Sequence, residues 1–440
     1  MTGRILLRGG CVLTLGAKTP NFAQADVLID DGRVAEVGPG LRARDAELVD
    51  ATDTIVMPGF VDTHRHAWKS LFRNLGESAS GGPASAADLG EHYRPEDVYA
   101  ATLIGLLGAV EAGITTVVDW SDIPCDDAST DAALQAHADA GLRTVFVHAD
   151  RRSAQDHEAE PATRQLLMRL AEAAGPSTTI ALGSELGRTE PGPIAGDRAL
   201  ARELGSPIHV HAGAQPSGAI ARLAEQGFLD KDVILIHCSE LDEADLDAIA
   251  ASGASVSLTP SSEMASGLGS PPIQQLIDRD IRPGLGVDDE RVSPGDLFAQ
   301  MRAMISLQHA TVFDRKLAGK AGIPRLMSTR DVIRSSTAEG ARVAGLREVT
   351  GSIEPGKQAD IIVLRTDRPN IFPINDPIGA VVWGMDTSNV DRVFVAGRVL
   401  MRDGVLQADV PGARNMATAA RERVAAAAGL VVGAARRGDG

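Results

Sequence analysis

Cysteine is nearly missing from this chain: three thiols in 440 residues, Cys11, Cys125 and Cys238, with no C-x-x-C pair among them. That excludes a disulfide framework and a zinc finger, and leaves free, buried thiols as the expected state. Positive charge is short as well. Lys and Arg total 43 against 59 Asp and Glu, giving a net charge of −16, which argues against a nucleic-acid partner because phosphate binding needs a basic surface. No apolar run approaches the ~20 residues that span a bilayer. The start, Met1-Thr2-Gly3-Arg4, enters a strand pattern without the apolar stretch of a signal peptide. No membrane partner is expected, and the cytoplasm is the expected compartment. No G-x-G-x-x-G follows the first strand, which counts against a doubly wound dinucleotide fold. Aromatic residues are only 3%, so Trp68 stands out where it occurs.

What is present is the composition of a globular protein, 44% hydrophobic and 23% charged, in a chain too long for one ordinary core. The first segment alternates apolar and polar residues, with Asp31-Gly32 as a hairpin signal, and forms a small β unit ending near Thr54. Short apolar strands then alternate with helical stretches. Strands are expected over residues 56–62, 115–119, 143–148, 179–182, 208–211, 233–237, 254–258 and 283–287, with helices such as 95–111, 163–174 and 241–251 between them. Eight strand–helix units predict an α/β fold, a (β/α)8 TIM barrel. After helices at 296–307 and 329–344, strands return at 360–364, 380–383 and 392–395. An alanine-rich surface helix and loose tail begin at Arg414.

Barrel chemistry sits at the C-terminal mouths of the strands. Strand one, Met57-Pro58-Gly59-Phe60-Val61-Asp62-Thr63-His64-Arg65-His66, runs out into two histidines one residue apart, which alternation sends to one face. Strand five ends in His211, with His209 deeper on the same face, strand six in His237, and strand eight in Asp288. One isolated histidine at a strand end is most often a satisfied polar residue. Four strands ending in His or Asp, with five of the ten histidines of the chain among them, point to a metal site.

These residues and several motifs in series carry a family likeness. Gly32-Arg33-Val34, the strand ending in His64-Arg65-His66, Ala112-Gly113-Ile114-Thr115-Thr116, Gly351-Ser352-Ile353-Glu354-Pro355-Gly356-Lys357-Gln358-Ala359-Asp360 and Val395-Ala396-Gly397-Arg398-Val399 together resemble the amidohydrolase superfamily. Within it, the chain is similar to the subgroup of cytosine deaminases, adenosine-type deaminases and triazine hydrolases. The resemblance implies a β-sandwich assembled from both chain ends beside the barrel. The expected layout is therefore residues 1–54 and 351–412 as the two sandwich parts, 55–350 as the barrel, and 413–440 as the terminal helix and tail. It implies one divalent ion held by His64, His66, His211 and Asp288, zinc first and iron or manganese as alternatives. The ion would activate water, with Asp288 moving its proton and His237 contacting substrate or polarising the group attacked. The relatives act on small molecules and are commonly homodimers or larger homo-oligomers.

Two departures shape the expected reaction. The subgroup places a glutamate three residues after the strand-five histidine; here the segment reads His211-Ala212-Gly213-Ala214, which cannot ionise at position 214. On strand four, Gly183-Ser184-Glu185-Leu186 puts a glutamate where relatives carry a histidine. Glu185 is a solvated loop carboxylate, a substrate contact, or a bridge to a second metal that His211 and His237 would share. Trp68 and Phe72 are candidates for a pocket wall, Glu263 for a substrate contact, and Lys69 and Arg73 for either a substrate anion or plain solvation. Asp119, His148, Asp289, Glu290 and Arg291 are rim candidates, and residues 78–83 a mobile loop. The expected function is hydrolysis of a non-peptide C–N bond, in an amide, lactam, amidine or aminated N-heterocycle. Heterocycle deamination or triazine-type dechlorination is the alternative, then a lyase or decarboxylase on the same site, then a scaffold without catalysis.

Overall fold

The computed structural model describes residues 3–75, 89–123, 127–149, 160–186, 194–213 and 217–432. The expected loop at 78–83, Cys125 and Ala214 lie outside these residues. Eight parallel strands line up in sequence order: β1 (Phe60–Arg65), β2 (Ile114–Ser121), β3 (Arg143–His148), β4 (Thr178–Glu185), β5 (Ile208–His211), β6 (Val233–Ile236), β7 (Ser255–Leu258) and β8 (Gly284–Leu285). A parallel bridge between Arg65 and Asp288 joins the last strand to the first and closes the barrel. Helices α1 (Pro95–Glu111), α2 (Asp127–Ala140), α3 (Glu160–Ala173), α4 (Ile194–Leu204), α5 (Ala219–Glu225) and α6 (Glu243–Ser252) connect successive strands. Apolar residues buried on both faces of the strands explain their near-continuous hydrophobic runs.

Both chain ends build a second, mixed sheet of nine strands. Its first hairpin pairs Asp30 with Arg33 across Asp31 and Gly32, both at positive φ, as a tight two-residue turn requires. Early strands and the late strand Ile361–Arg365 share one core that includes Val27, Val56, Ile361 and Phe394.

The structure corrects three element assignments. Residues 56–62 are not one strand. Thr54–Pro58 belongs to the mixed sheet and β1 to the barrel, with the break at Gly59. The Gly59 amide bonds to Asp360 and the next amide to Gly113, so the chain changes sheets in one step. A Cβ at Gly59 would meet the Thr115 side chain at 2.1 Å, so only glycine fits the crossing. Residues 380–383 are helical rather than extended, because Asp376 caps Ile378 and Gly379 and Pro377 starts the turn that continues through Ala380–Gly384. The last helix spans Val410–Ala427 and is half sunk into the molecule, burying Ala413, Ala420, Val424 and Ala425, while Arg423 pairs with Asp97 of α1. Cys238 is buried and Cys11 half-buried, both as free thiols.

Candidate metal centre

The seam that closes the barrel also assembles the site. The His66 amide donates to the Asp288 carbonyl at 3.1 Å, and the Asp288 amide to the His64 carbonyl at 2.8 Å. These backbone bonds hold the side chains of His64, His66 and Asp288 at one mouth. His64 Nε2 and His66 Nε2 each lie 3.4 Å from Asp288 Oδ1, and His211 Nε2 lies 3.3 Å from His64 Nε2. Potential ligand atoms of His64, His66 and Asp288 all fall within 4.8 Å of one another, as do those of His64, His211 and His237. Points about 3.4 Å apart at tetrahedral corners have a centre ~2.1 Å from each, the usual length of a bond from zinc to imidazole or carboxylate. The spacings of His64 and His66 to Asp288, and of His211 to His64, are each of the size that two ligands of one small divalent ion require.

Backing groups orient the rings. A carboxylate only accepts, so it fixes the proton on the ring nitrogen that faces it. Asp122 Oδ1 takes His66 Nδ1 at 2.9 Å, and Glu185 Oε1 takes His211 Nδ1 at 2.6 Å. Each leaves the Nε2 lone pair pointing into the cluster. His237 Nδ1 lies 3.1 Å from Thr259 Oγ1 and 3.3 Å from Glu263 Oε1, and its ring stacks on His211 with centroids 5.4 Å apart. His237 and Asp288 both occupy the left-handed backbone region, with φ of 73° and 64°. Such strain in non-glycine residues at strand ends is common where side chains must be re-aimed for function.

Charge follows burial and neighbours. Burial drives the His64 pKa well below its ordinary value, against the pull of Asp288, so the ring is a neutral electron-pair donor. Burial works to raise Asp288, but the His64 hydrogen bond and the surrounding imidazoles of His64, His237 and His66 outweigh it and hold the carboxyl well below its usual range. For His237, burial is outweighed in the other direction by Glu263 and Asp288, and its pKa rises. His209, enclosed beneath His211, is pushed down to about 3 by burial and is neutral.

Several residues have other places than the sequence suggests. Glu185 stands behind His211, on the ring nitrogen away from the cluster. Trp68 is 2% exposed and packs with Val98, Phe146 and Leu170 rather than walling a pocket; its indole N–H shares Asp122 Oδ1 with His66. Phe72 is also buried, packed with Leu71, Ala101 and Val424. Glu263 is wholly buried beneath His237 and accepts the Thr259 amide at 2.8 Å. Asp119 is an anchor: it accepts the Ala67 amide at 2.8 Å and faces His137 Nε2 at 2.7 Å. His148 is buried where β3 ends, beside Ser121 of β2. Glu290 lies inside an ionic knot with Arg65 at 3.0 Å and Arg73 at 2.9 Å, which accounts for Arg73. Lys69 is buried rather than solvated.

Asp122 was missed by sequence reasoning, and so was Ser262, which donates its hydroxyl to Asp288 Oδ2. The signal for Asp122 was a boundary: β2 runs to Ser121, two residues past the expected end, so the mouth residue is Asp122.

The model of the family described as Amidohydrolase family matches residues 55–400. Among curated proteins, the chain is 28% identical to a 5'-deoxyadenosine deaminase of Methanothermobacter thermautotrophicus, over 92% of this chain and 94% of that one. It is 27% identical to a 5-methylthioadenosine/S-adenosylhomocysteine deaminase of Symbiobacterium thermophilum, over 91% and 94%. Among solved structures, an adenosine deaminase from Xanthomonas campestris with bound zinc superimposes with a TM-score of 0.82 at 21% identity, covering 96% of this chain and 98% of that one. A mutant atrazine chlorohydrolase from Arthrobacter aurescens, complexed with zinc and atraton, also gives 0.82 at 21% identity, covering 95% and 100%.

Proposed function

The chain belongs to the amidohydrolase family, and from that premise we propose that it hydrolyses a non-peptide carbon–nitrogen bond of a small molecule at one divalent ion held by His64, His66, His211 and Asp288. Zinc is the proposed ion, supported by the imidazole and carboxylate donors and their spacing. When bound, the ion supplies Lewis acidity and makes water nucleophilic at neutral pH. The observation that carries the reading is that His64 Nε2 and His66 Nε2 each lie 3.4 Å from Asp288 Oδ1 while His211 Nε2 lies 3.3 Å from His64 Nε2.

The protein groups divide the remaining work. Asp288 stays ionised and presents Oδ1 to the cluster while Ser262 holds Oδ2, so it is placed to take a proton from attacking water and return it to the leaving nitrogen. His237, with its raised pKa, is placed to donate a hydrogen bond to the group under attack. The aligned relatives are deaminases of adenosine derivatives, which makes an aminated N-heterocycle the first substrate class to test. Ala214 cannot carry a proton, so in that reaction Asp288 and His237 would have to protonate the ring. Amides, lactams and amidines need no such ring protonation and form the other half of the class. We propose a homo-oligomer working in the cytoplasm.

The test is metal analysis with a substrate panel. Near one zinc per chain and turnover of an aminated heterocycle or cyclic amide are expected. Asp288→Asn should lower kcat by about a thousandfold or more with an unchanged circular dichroism spectrum. Undiminished turnover by that variant, or protein that binds no divalent ion, would reject the mechanism.

A further inference from the structure

Each imidazole of the centre needs more than a strand to hold it. Strand pairing fixes where the Cα sits, but a histidine ring turns about χ2, a broad and soft torsion. The His66 ring is pinned by Asp122, whose side chain is only 7% exposed. His211 lacks a pin of that strength. Its carboxylate partner, Glu185, is 58% exposed, and solvent weakens such a pair.

What lies against the face of His211 is Trp120, near the end of β2 and two positions before Asp122. The two ring centroids are 4.0 Å apart and their planes differ by 30°. The contact is selective. Trp120 meets His64 closer to edge-on, at 5.9 Å and 70°, and His66 at 6.5 Å and 54°. The indole is wholly buried, in a cluster with Val145 and Val147 of β3 and Ala181 of β4, and close packing there leaves it little freedom to tilt. Core packing explains the valine contacts. The near-parallel approach to an imidazole, and to one of the three proposed ligand rings only, goes beyond it. We infer that Trp120 is a positioning residue, whose buried face sets the plane of the His211 ring and so directs Nε2 toward the metal. The inference rests on the proposed ligand set, since His211 must bind the metal for its plane to matter.

Cobalt tests it, because the visible spectrum of the bound ion reports how its ligands are arranged, and its affinity can be read by competition with a chelator. Wild type, Trp120→Phe and Trp120→Leu would be compared, each with His211 in place and with His211→Asn. Trp120→Leu should weaken cobalt binding by about threefold to tenfold, as loss of an aromatic pair gives, and should alter the spectrum. Trp120→Phe keeps a flat face and should retain most of both. In the His211→Asn background the same substitutions should change neither, because the residue they act through is gone. Wild-type affinity and spectrum in Trp120→Leu, or an equal loss with and without His211, would overturn the inference. A measurement on zinc-loaded wild type stands apart from how the variants fold. With carbon-13-labelled histidine, the ring protons of His211 should be shifted upfield by the indole, and ordinary shifts would overturn the inference. If His211→Asn binds cobalt as tightly as wild type, the proposed ligand set fails, and the inference fails with it.

Discussion

At the scale of single residues, the candidate centre depends as much on the groups behind the rings as on the rings. Asp122 holds His66 and Trp68 through one oxygen, so its loss frees a ring and leaves an indole N–H unpaired. Asp122→Ala should weaken metal affinity by about tenfold to a hundredfold, the usual cost of losing such a partner, as measured by competition with a chelator. Glu185→Gln should have a smaller effect of the same kind, because Glu185 is half-exposed and solvent screens its hold on His211. A lost ion in the Glu185 variant with no effect in the Asp122 variant would contradict this ranking. The histidines and Asp288 were legible as strand-end residues because strand alternation is local. Asp122 was not, since its partner lies 56 positions away in the chain.

At the scale of elements, β8 is two residues long, and its short ladder is completed by backbone bonds from Asp288 to β1. Gly286 makes that approach possible. A Cβ there would lie 2.7 Å from both the amide nitrogen and the carbonyl oxygen of His64, and a backbone cannot rotate away as a side chain can. Gly286→Ala should therefore destabilise the fold by about 2–3 kcal/mol and also weaken metal binding, because the strain falls on His64. Urea unfolding with and without a chelator separates the two effects. Full metal affinity in a destabilised Gly286→Ala protein would show that the seam yields elsewhere. The sequence pattern marks β8 by its apolar residues, but neither its length nor its closure onto β1 is visible there, because pairing partners come from opposite ends of the barrel.

At the scale of the whole molecule, the barrel and the mixed sheet are fastened by a buried ion pair. Arg143, which opens β3, meets Asp360 at 2.7 and 3.1 Å, and Asp360 also accepts the Ala396 amide. Both side chains are almost wholly out of water. Arg143→Met would leave the Asp360 charge unpaired and should cost about 3–5 kcal/mol, seen as a lower midpoint in chemical unfolding. An unchanged midpoint would mean that the two sheets do not depend on this clamp.

The sequence by itself determined the class of fold, the order of its strands and the kind of atoms gathered at one mouth of the barrel. Those features are written in local periodicity and in which residues end each strand. The tertiary structure decided where the chain leaves one sheet for the other at Gly59, that residues 380–383 are helical rather than extended, and that Glu185 and Glu263 stand against the Nδ1 atoms of His211 and His237. Each of these depends on contacts between segments far apart in the chain, on the space beside Thr115 or on a ring nitrogen across the barrel. No local pattern encodes such contacts.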